Sequence, residues 1–204
     1  MSHRNSRQFV SSARPVTRQV PGTEVARIRR ATLRDADRLR AMHHASLEAL
    51  GAGHYSAHQI EGFLRDVVTV DEADLADGTF LVAEVAGEIA ASAAWTLRRP
   101  AYAPDARAGG PGPVRATIRA VFTHPAFTRR GLATKVVRAC EEEAVIHGRA
   151  EILDLWATLS GVPLYRRLGY RAGDATEMIP LPNGALFPAV YMSKSVVASA
   201  SAEA

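Results

Sequence analysis

The chain of 204 residues suits one domain of ordinary size with a proper core, and a second domain is not expected. Hydrophobic residues make up 47% of it, but no apolar run approaches the roughly 20 residues that cross a bilayer, and the single cysteine excludes an internal disulfide. The formal net charge of +4 rests almost wholly on arginine, Lys135 and Lys194 being the only lysines; the arginines are scattered among carboxylates, so an anionic small molecule is an expected partner and nucleic acid is not.

In chain order, Met1 to about Gly22 carries Arg4, Arg7, Arg14 and Arg18, several serines and no acidic residue. That composition fits a disordered basic tail, and equally an arginine-rich transit peptide. With no secretory apolar segment and an Ala- and Arg-rich, Lys-poor composition of bacterial character, residues 1–24 are read as a tail and the location as cytoplasmic. Val25 to Thr32 reads as a first strand. Thr32 or Asp35 can cap a helix running to about Leu50, with Ala36, Leu39, Met42, Leu47 and Leu50 on its apolar face. Gly51-Ala52-Gly53 stops it, and Ser56 can cap a second helix through Ile60, Phe63, Leu64 and Val67. Thr79 to Val85, a turn at Gly87, and Glu88 to Leu97 predict a hairpin, and Phe80-Leu81-Val82-Ala83 predicts a buried strand within it.

Proline and glycine crowd Arg98 to Pro113, which reads as a loop, either a surface insertion or a lid near the substrate. Val114 to Thr123 is the next strand, followed by a helix from Leu132 to His147, with Cys140 as a small core residue inside it, and a strand from Glu151 to Thr158. A short helix begins after Gly161. Strands Arg171 to Ile179 and Phe187 to Ser195, joined at Pro182-Asn183-Gly184, form a closing hairpin, and residues 198–204 fray.

The segment Thr123-His124-Pro125-Ala126-Phe127-Thr128-Arg129-Arg130-Gly131-Leu132-Ala133-Thr134 joins a strand to a long helix. A helix start leaves its first N–H groups unpaired and carries partial positive charge, so an anion placed there gains hydrogen bonds and a favourable dipole. Gly131 lets the backbone approach a ligand, Ala133 is nearly as small, Thr134 can add a hydroxyl donor, and Arg129 and Arg130 supply charge suited to phosphate. Read alone, this is also a plain tight entry turn. Further on stands Ser160-Gly161-Val162-Pro163-Leu164-Tyr165-Arg166-Arg167-Leu168-Gly169-Tyr170.

The two segments in this order resemble the GNAT superfamily of N-acetyltransferases over roughly Arg27 to Ser195, most closely from Ile118 to Tyr170. The first is similar to that family's pyrophosphate loop, Gln/Arg-x-x-Gly-x-Gly/Ala, and the second to its later Leu-Tyr-x-x-Leu-Gly-Tyr/Phe helix. The resemblance implies a single α/β domain at 25–197 with a mixed, mostly antiparallel sheet flanked by helices, and acetyl-coenzyme A as co-substrate. It further implies that Val121, Phe122 and Thr123 offer main-chain groups to the pantetheine arm and an N–H to the thioester oxygen. The pyrophosphate would lie on Arg129, Arg130, Gly131, Leu132, Ala133 and Thr134. Thr128 stands where the family usually has Gln or Arg, and Thr158 where it often has a cofactor-binding Asn. Tyr165 matches the family's general acid.

No carboxylate lies on the strand from Val114 to Ala120, so the general base is left among His43, Glu48, His54, Asp154 and water. By analogy of position the acceptor would meet His43, His44, Ser46, His54, Tyr55 and Ser56, a polar set suited to a small amine or a peptide end. No metal site is expected, a homodimer is left open, and two other readings stand beside the enzyme: an idle acyl-coenzyme A binding module, and a different nucleotide-binding protein, which would lack the usual Gly-rich phosphate signatures.

Overall fold

The computed structural model describes residues 25–99 and 112–197, so the expected tails at 1–24 and 198–204 and most of the expected loop at 98–113 lie outside the described residues. Seven strands form one sheet in the order β1-β2-β3-β4-β5-β7-β6. β1 (Arg27–Arg30), β2 (Phe80–Val85), β3 (Glu88–Thr96) and β4 (Arg115–Thr123) run antiparallel to one another. β4 then pairs in parallel with β5 (Ile152–Thr158), and the hairpin of β6 (Arg171–Pro180) and β7 (Leu186–Ser195) adds with β7 against β5.

Each sheet face carries its own core. On one, α4 (Leu132–Ile146) presents Leu132, Val136, Val137, Cys140 and Ala144, a helical stripe packed on Ala91, Ala93, Ile118 and Leu153. On the other, α1 (Ala36–Gly51), α2 (Ala57–Asp66) and the short α3 (Glu72–Ala76) pack Leu39, Met42, Leu47, Ile60 and Leu75 over Phe80, Val82 and Phe187. Helices on both faces explain why β2 and β3 read as near-continuous apolar runs. Within β3, Ala90, Ala91, Ala93 and Ala94 are all fully buried, and their small side chains bring both helical layers close to the sheet.

The two candidate caps of α1 divide the work. Thr32 precedes a 3-10 turn at Leu33–Asp35, and its N–H donates to Asp35 Oδ2 at 2.9 Å. Asp35 stands at the N-cap of α1 without a side-chain bond to the helix, because both its oxygens accept from Arg29 at 2.9 Å. The Arg29 guanidinium holds that carboxyl down at about 2. Ser56 does cap α2, accepting from the Gln59 N–H at 3.2 Å while Gln59 reaches back to the Ser56 N–H at 2.9 Å. Such a reciprocal box contributes about 1 kcal/mol. The five residues of α3 are too few for a periodic signal and are absent from the sequence reading.

Candidate active site

β4 and β5 are paired only from Arg115–Ile152 to Thr117–Asp154, although β4 continues to Thr123 and β5 to Thr158. Beyond that register the strands part and leave a wedge in the sheet, lined among others by Val121, Phe122, Trp156, Thr158 and Tyr165. The closed end is knit by side chains. Thr117 Oγ1 donates to Asp154 Oδ1 at 2.7 Å, the Tyr191 hydroxyl donates to Oδ2 at 3.3 Å, and the Arg115 guanidinium lies 3.8 Å from Oδ2.

At the open end β4 carries a bulge. Ala94 faces Arg119 while Ser92 faces Phe122, so β4 spends one residue more than β3, and Ala120 absorbs the difference at φ 52°. Such a conformation costs an L-residue about 1–3 kcal/mol and persists only where its surroundings impose it. The bulge also swaps faces: Ala120 and Phe122 pack toward α1, whereas Val121 packs toward α4. Just before it, the buried Arg119 bonds Asp71 and Asp74 at 3.1 Å each and the Val68 carbonyl at 2.5 Å, tying β4 to the segment that borders the wedge. Asp74, 1% exposed, also accepts from Arg98 at 2.7 Å. Burial pushes its carboxyl up despite the two guanidiniums, and Asp71 adds to that rise.

β4 leads through a 3-10 turn at Pro125–Phe127 into the helix-start loop. Arg129 at φ 59° and Gly131 at φ 73° both take left-handed backbone, and Gly131 is the N-cap of α4 with no side-chain bond to the first helical N–H groups. A Cβ on Gly131 would meet nothing within 4 Å, so the N-terminus faces open space. These are the donors an anion needs, and the residues present fit a pyrophosphate. Arg129 and Arg130 are exposed there, with the Arg130 guanidinium 5.0 Å over the Phe127 ring. Leu132 is buried and offers only its main chain, while Ala133 and Thr134 are half-buried.

Tyr165 lies in α5 (Val162–Arg167), 6% exposed, on the wall of the wedge and edge-on to Tyr170 at 5.8 Å. Tyr170 is 2% exposed just before β6. Thr158 ends β5 at the wedge, its hydroxyl 3.3 Å from that of Ser160.

The expected acceptor contacts need correcting. His43 is wholly buried, stacked 4.1 Å from Phe122, with Nε2 2.9 Å from Ser92 Oγ. Burial, reinforced by neighbouring His44, drives its pKa down to about 3, which removes it as a base at neutral pH. Ser46 is 4% exposed and accepts from the Thr123 N–H at 3.4 Å. Tyr55 is 5% exposed, its hydroxyl donating to the Pro188 carbonyl at 3.1 Å and accepting from the Leu159 N–H at 2.8 Å, while burial raises its pKa to about 12. All three are struts behind the strands that frame the wedge. The signal was in the spacing, since His43 and Ser46 fall on the stripe of Leu39, Met42 and Leu47. His54 is exposed in the turn after α1, His44 and Glu48 line an outer groove between α1 and α2, and Ser56 is spent on its cap. Asp154 belongs to the closed end. Ser92, Arg119 and Ala120, which shape the open end, carried no signal that sequence alone could separate from an ordinary strand.

The sequence model of the acetyltransferase (GNAT) family matches residues 40–170. The chain belongs to that family. It is thereby an acetyl-coenzyme A dependent N-acetyltransferase. The fold of this acetyltransferase is shared with a GCN5-related N-acetyltransferase from Rhodopseudomonas palustris, at 24% identity and a TM-score of 0.64 over 84% of this chain and 96% of that one. It is shared too with the PaiA N-acetyltransferase of Thermoplasma acidophilum in complex with coenzyme A, at 15% identity and a TM-score of 0.63 over 84% and 99%. A polyamine N-acetyltransferase of Drosophila melanogaster, described as forming N-acetylagmatine, aligns at 15% identity and a TM-score of 0.58 over 84% and 100%. No curated protein sequence matches the acetyltransferase. Among the described residues no helix is long and apolar enough to cross a membrane, and no group of three or more His, Cys, Asp or Glu could hold a metal ion.

Proposed function

We propose that the acetyltransferase moves the acetyl group onto a primary amine of a small molecule or peptide, by direct attack within a ternary complex and with Tyr165 as general acid. The wedge carries this reading: a gap between two strands with a buried phenol on its wall and an uncapped helix N-terminus beyond the strand that borders it. Acetyl-coenzyme A supplies an activated acetyl group and a thiol leaving group. In this reading the α4 N-terminus, with Arg129, Arg130 and Thr134, holds the pyrophosphate, main-chain groups of Val121 to Thr123 align the pantetheine arm, and Thr158 adds a hydroxyl. A phenol with a reference pKa of about 10 stays protonated at neutral pH and can donate to a departing thiolate.

The wedge also narrows the acceptor. Phe63, Val67, Trp156 and Phe187 give it aromatic and aliphatic walls, and its described lining residues include no carboxylate or imidazole. A second positive charge would find no carboxylate among those residues, and the Asp71 and Asp74 carboxylates nearby are already paired with Arg119. The reading is therefore an amine with an apolar body rather than a polyamine, one that enters neutral and, as the C–N bond forms and the C–S bond breaks, gives one of its two N–H protons to water while Tyr165 protonates the departing thiolate.

Calorimetry with acetyl-coenzyme A followed by turnover on an amine panel tests the proposal. Gly131→Glu adds bulk and negative charge at an open position, costs about 1–2 kcal/mol in left-handed backbone strain, and is expected to abolish micromolar binding. Tyr165→Phe is expected to lower kcat by about 10²–10⁴ with binding little changed. An arylalkylamine should surpass spermidine in kcat/KM. Full turnover by Tyr165→Phe removes that residue from the mechanism, and full binding by Gly131→Glu moves the cofactor elsewhere.

A further inference from the structure

We infer that the buried pair His43–Ser92 is a positioning device for the reaction: it pins the bulged Ala120–Val121 peptide so that the Val121 N–H is turned away from β3, toward the side where the wedge opens. The inference rests on the reading above, in which the main chain of β4 meets the thioester.

Ser92 Oγ donates to the Ala120 carbonyl at 2.8 Å and lies 2.9 Å from His43 Nε2. A hydroxyl has a single proton, and a carbonyl can only accept, so the Ser92 proton is spent on Ala120. His43 Nε2 must then be the donor, and the ring carries its proton there. Nδ1 is bare, buried and without a hydrogen-bond partner, as that tautomer requires. The ring is stacked on Phe122 at 4.1 Å and on Phe80 at 6.3 Å, and turning it over would give up the bond to Ser92. The relay therefore has one direction, from His43 through Ser92 to the carbonyl of the one residue in β4 with positive φ.

In a trans peptide the C=O and the following N–H point in opposite directions, and no cis bond occurs among the described residues. Fixing the Ala120 carbonyl on the Ser92 side thus fixes the Val121 N–H on the other. Both residues line the wedge. One turn further along α1, Ser46 accepts from the Thr123 N–H, so a single helix face props the bulge and the strand beyond it. A donor aimed in advance at a developing oxyanion gains most from such fixing, since it then pays no reorganisation during the reaction.

The test uses Ser92→Ala, which breaks the relay, His43→Phe, which removes the donor but keeps a ring to stack on Phe122, and Ser92→Thr, which restores the hydroxyl. Each is bound to acetyl-coenzyme A labelled with ¹³C at the acetyl carbonyl, and the infrared frequency of that carbonyl is compared with the free thioester. Coenzyme A affinity and steady-state constants accompany it. In the wild type the band should move to lower frequency on binding. In Ser92→Ala and His43→Phe the shift should shrink and kcat fall about tenfold, with coenzyme A affinity within about twofold, and Ser92→Thr should recover both. An unchanged carbonyl shift and kcat in either folded variant overturns the inference. A wild-type protein that fails to bind acetyl-coenzyme A, or binds it with an unshifted carbonyl, refutes instead the reading that β4 meets the thioester.

Discussion

At the closed end of the β4–β5 pair, Asp154 gathers Thr117, Tyr191 and Arg115 around one carboxylate, and the strands are hydrogen-bonded between those contacts. At the open end no ladder joins them. There the bordering strands are held from behind: β4 by His43 through Ser92, by Ser46 and by Arg119, and the end of β5 with its neighbour β7 by Tyr55. A gap in a sheet exposes backbone donors and acceptors that neighbouring strands would otherwise satisfy. In this acetyltransferase helices α1 and α3 and the turn before α2 send polar side chains to the open end, where no ladder between β4 and β5 holds the strands.

Arg119→Met strikes the open end hardest. It strips Asp74 of one of its two guanidiniums and the Val68 carbonyl of its donor, and a broken buried pair costs about 3–5 kcal/mol, to be read from urea denaturation. A loss below about 1 kcal/mol would mean that Arg98 suffices and that Arg119 does not brace β4. Asp154→Ala acts on the closed end and should cost about 2 kcal/mol, the scale of hydrogen bonds to a charged group, while leaving kcat within about threefold. If stability held and kcat fell, Asp154 would be a base after all and the two ends would not divide structure from chemistry.

The smallest effect is a slope. The unfolded chain protonates His43 below about 6.5, whereas the fold keeps it neutral down to about 3, so the unfolded state binds the extra proton in that window. Stability is therefore lost as pH falls from about 6.5, by about 1.4 kcal/mol per unit from this group. His43→Phe should flatten the acid limb by that amount between pH 6.5 and 5, measured by denaturation midpoints at several pH values. An unaltered slope would mean that protonated His43 finds a partner, contrary to its bare Nδ1.

Much of this molecule was legible in its sequence. The strand, helix-start loop, helix and strand from Arg115 to Thr158 were readable because their periods are regular and Gly131 punctuates them, and Ser56 was readable as the cap of α2, whereas its reciprocal partner Gln59 was not singled out. The motif singled out Tyr165 as a candidate acid, and its place on the wall of the wedge came from the fold. His43, Ser46 and Tyr55 were misread, since residue type suggested a polar site while burial turned each toward a backbone. The polar face of a helix can be read from composition, but a polar residue inside an apolar stripe has a meaning set by what it touches.

The sequence by itself determined the order of elements, the Gly131 start of α4 and the family, all of which rest on neighbours along the chain. Only the tertiary structure decided that β4 and β5 part after Thr117, that Ala120 bulges at positive φ, and that His43 and Ser92 stand behind it. Those facts join residues 28 to 49 positions apart, and a hydrogen bond across such a distance exists only once the sheet has brought both ends together.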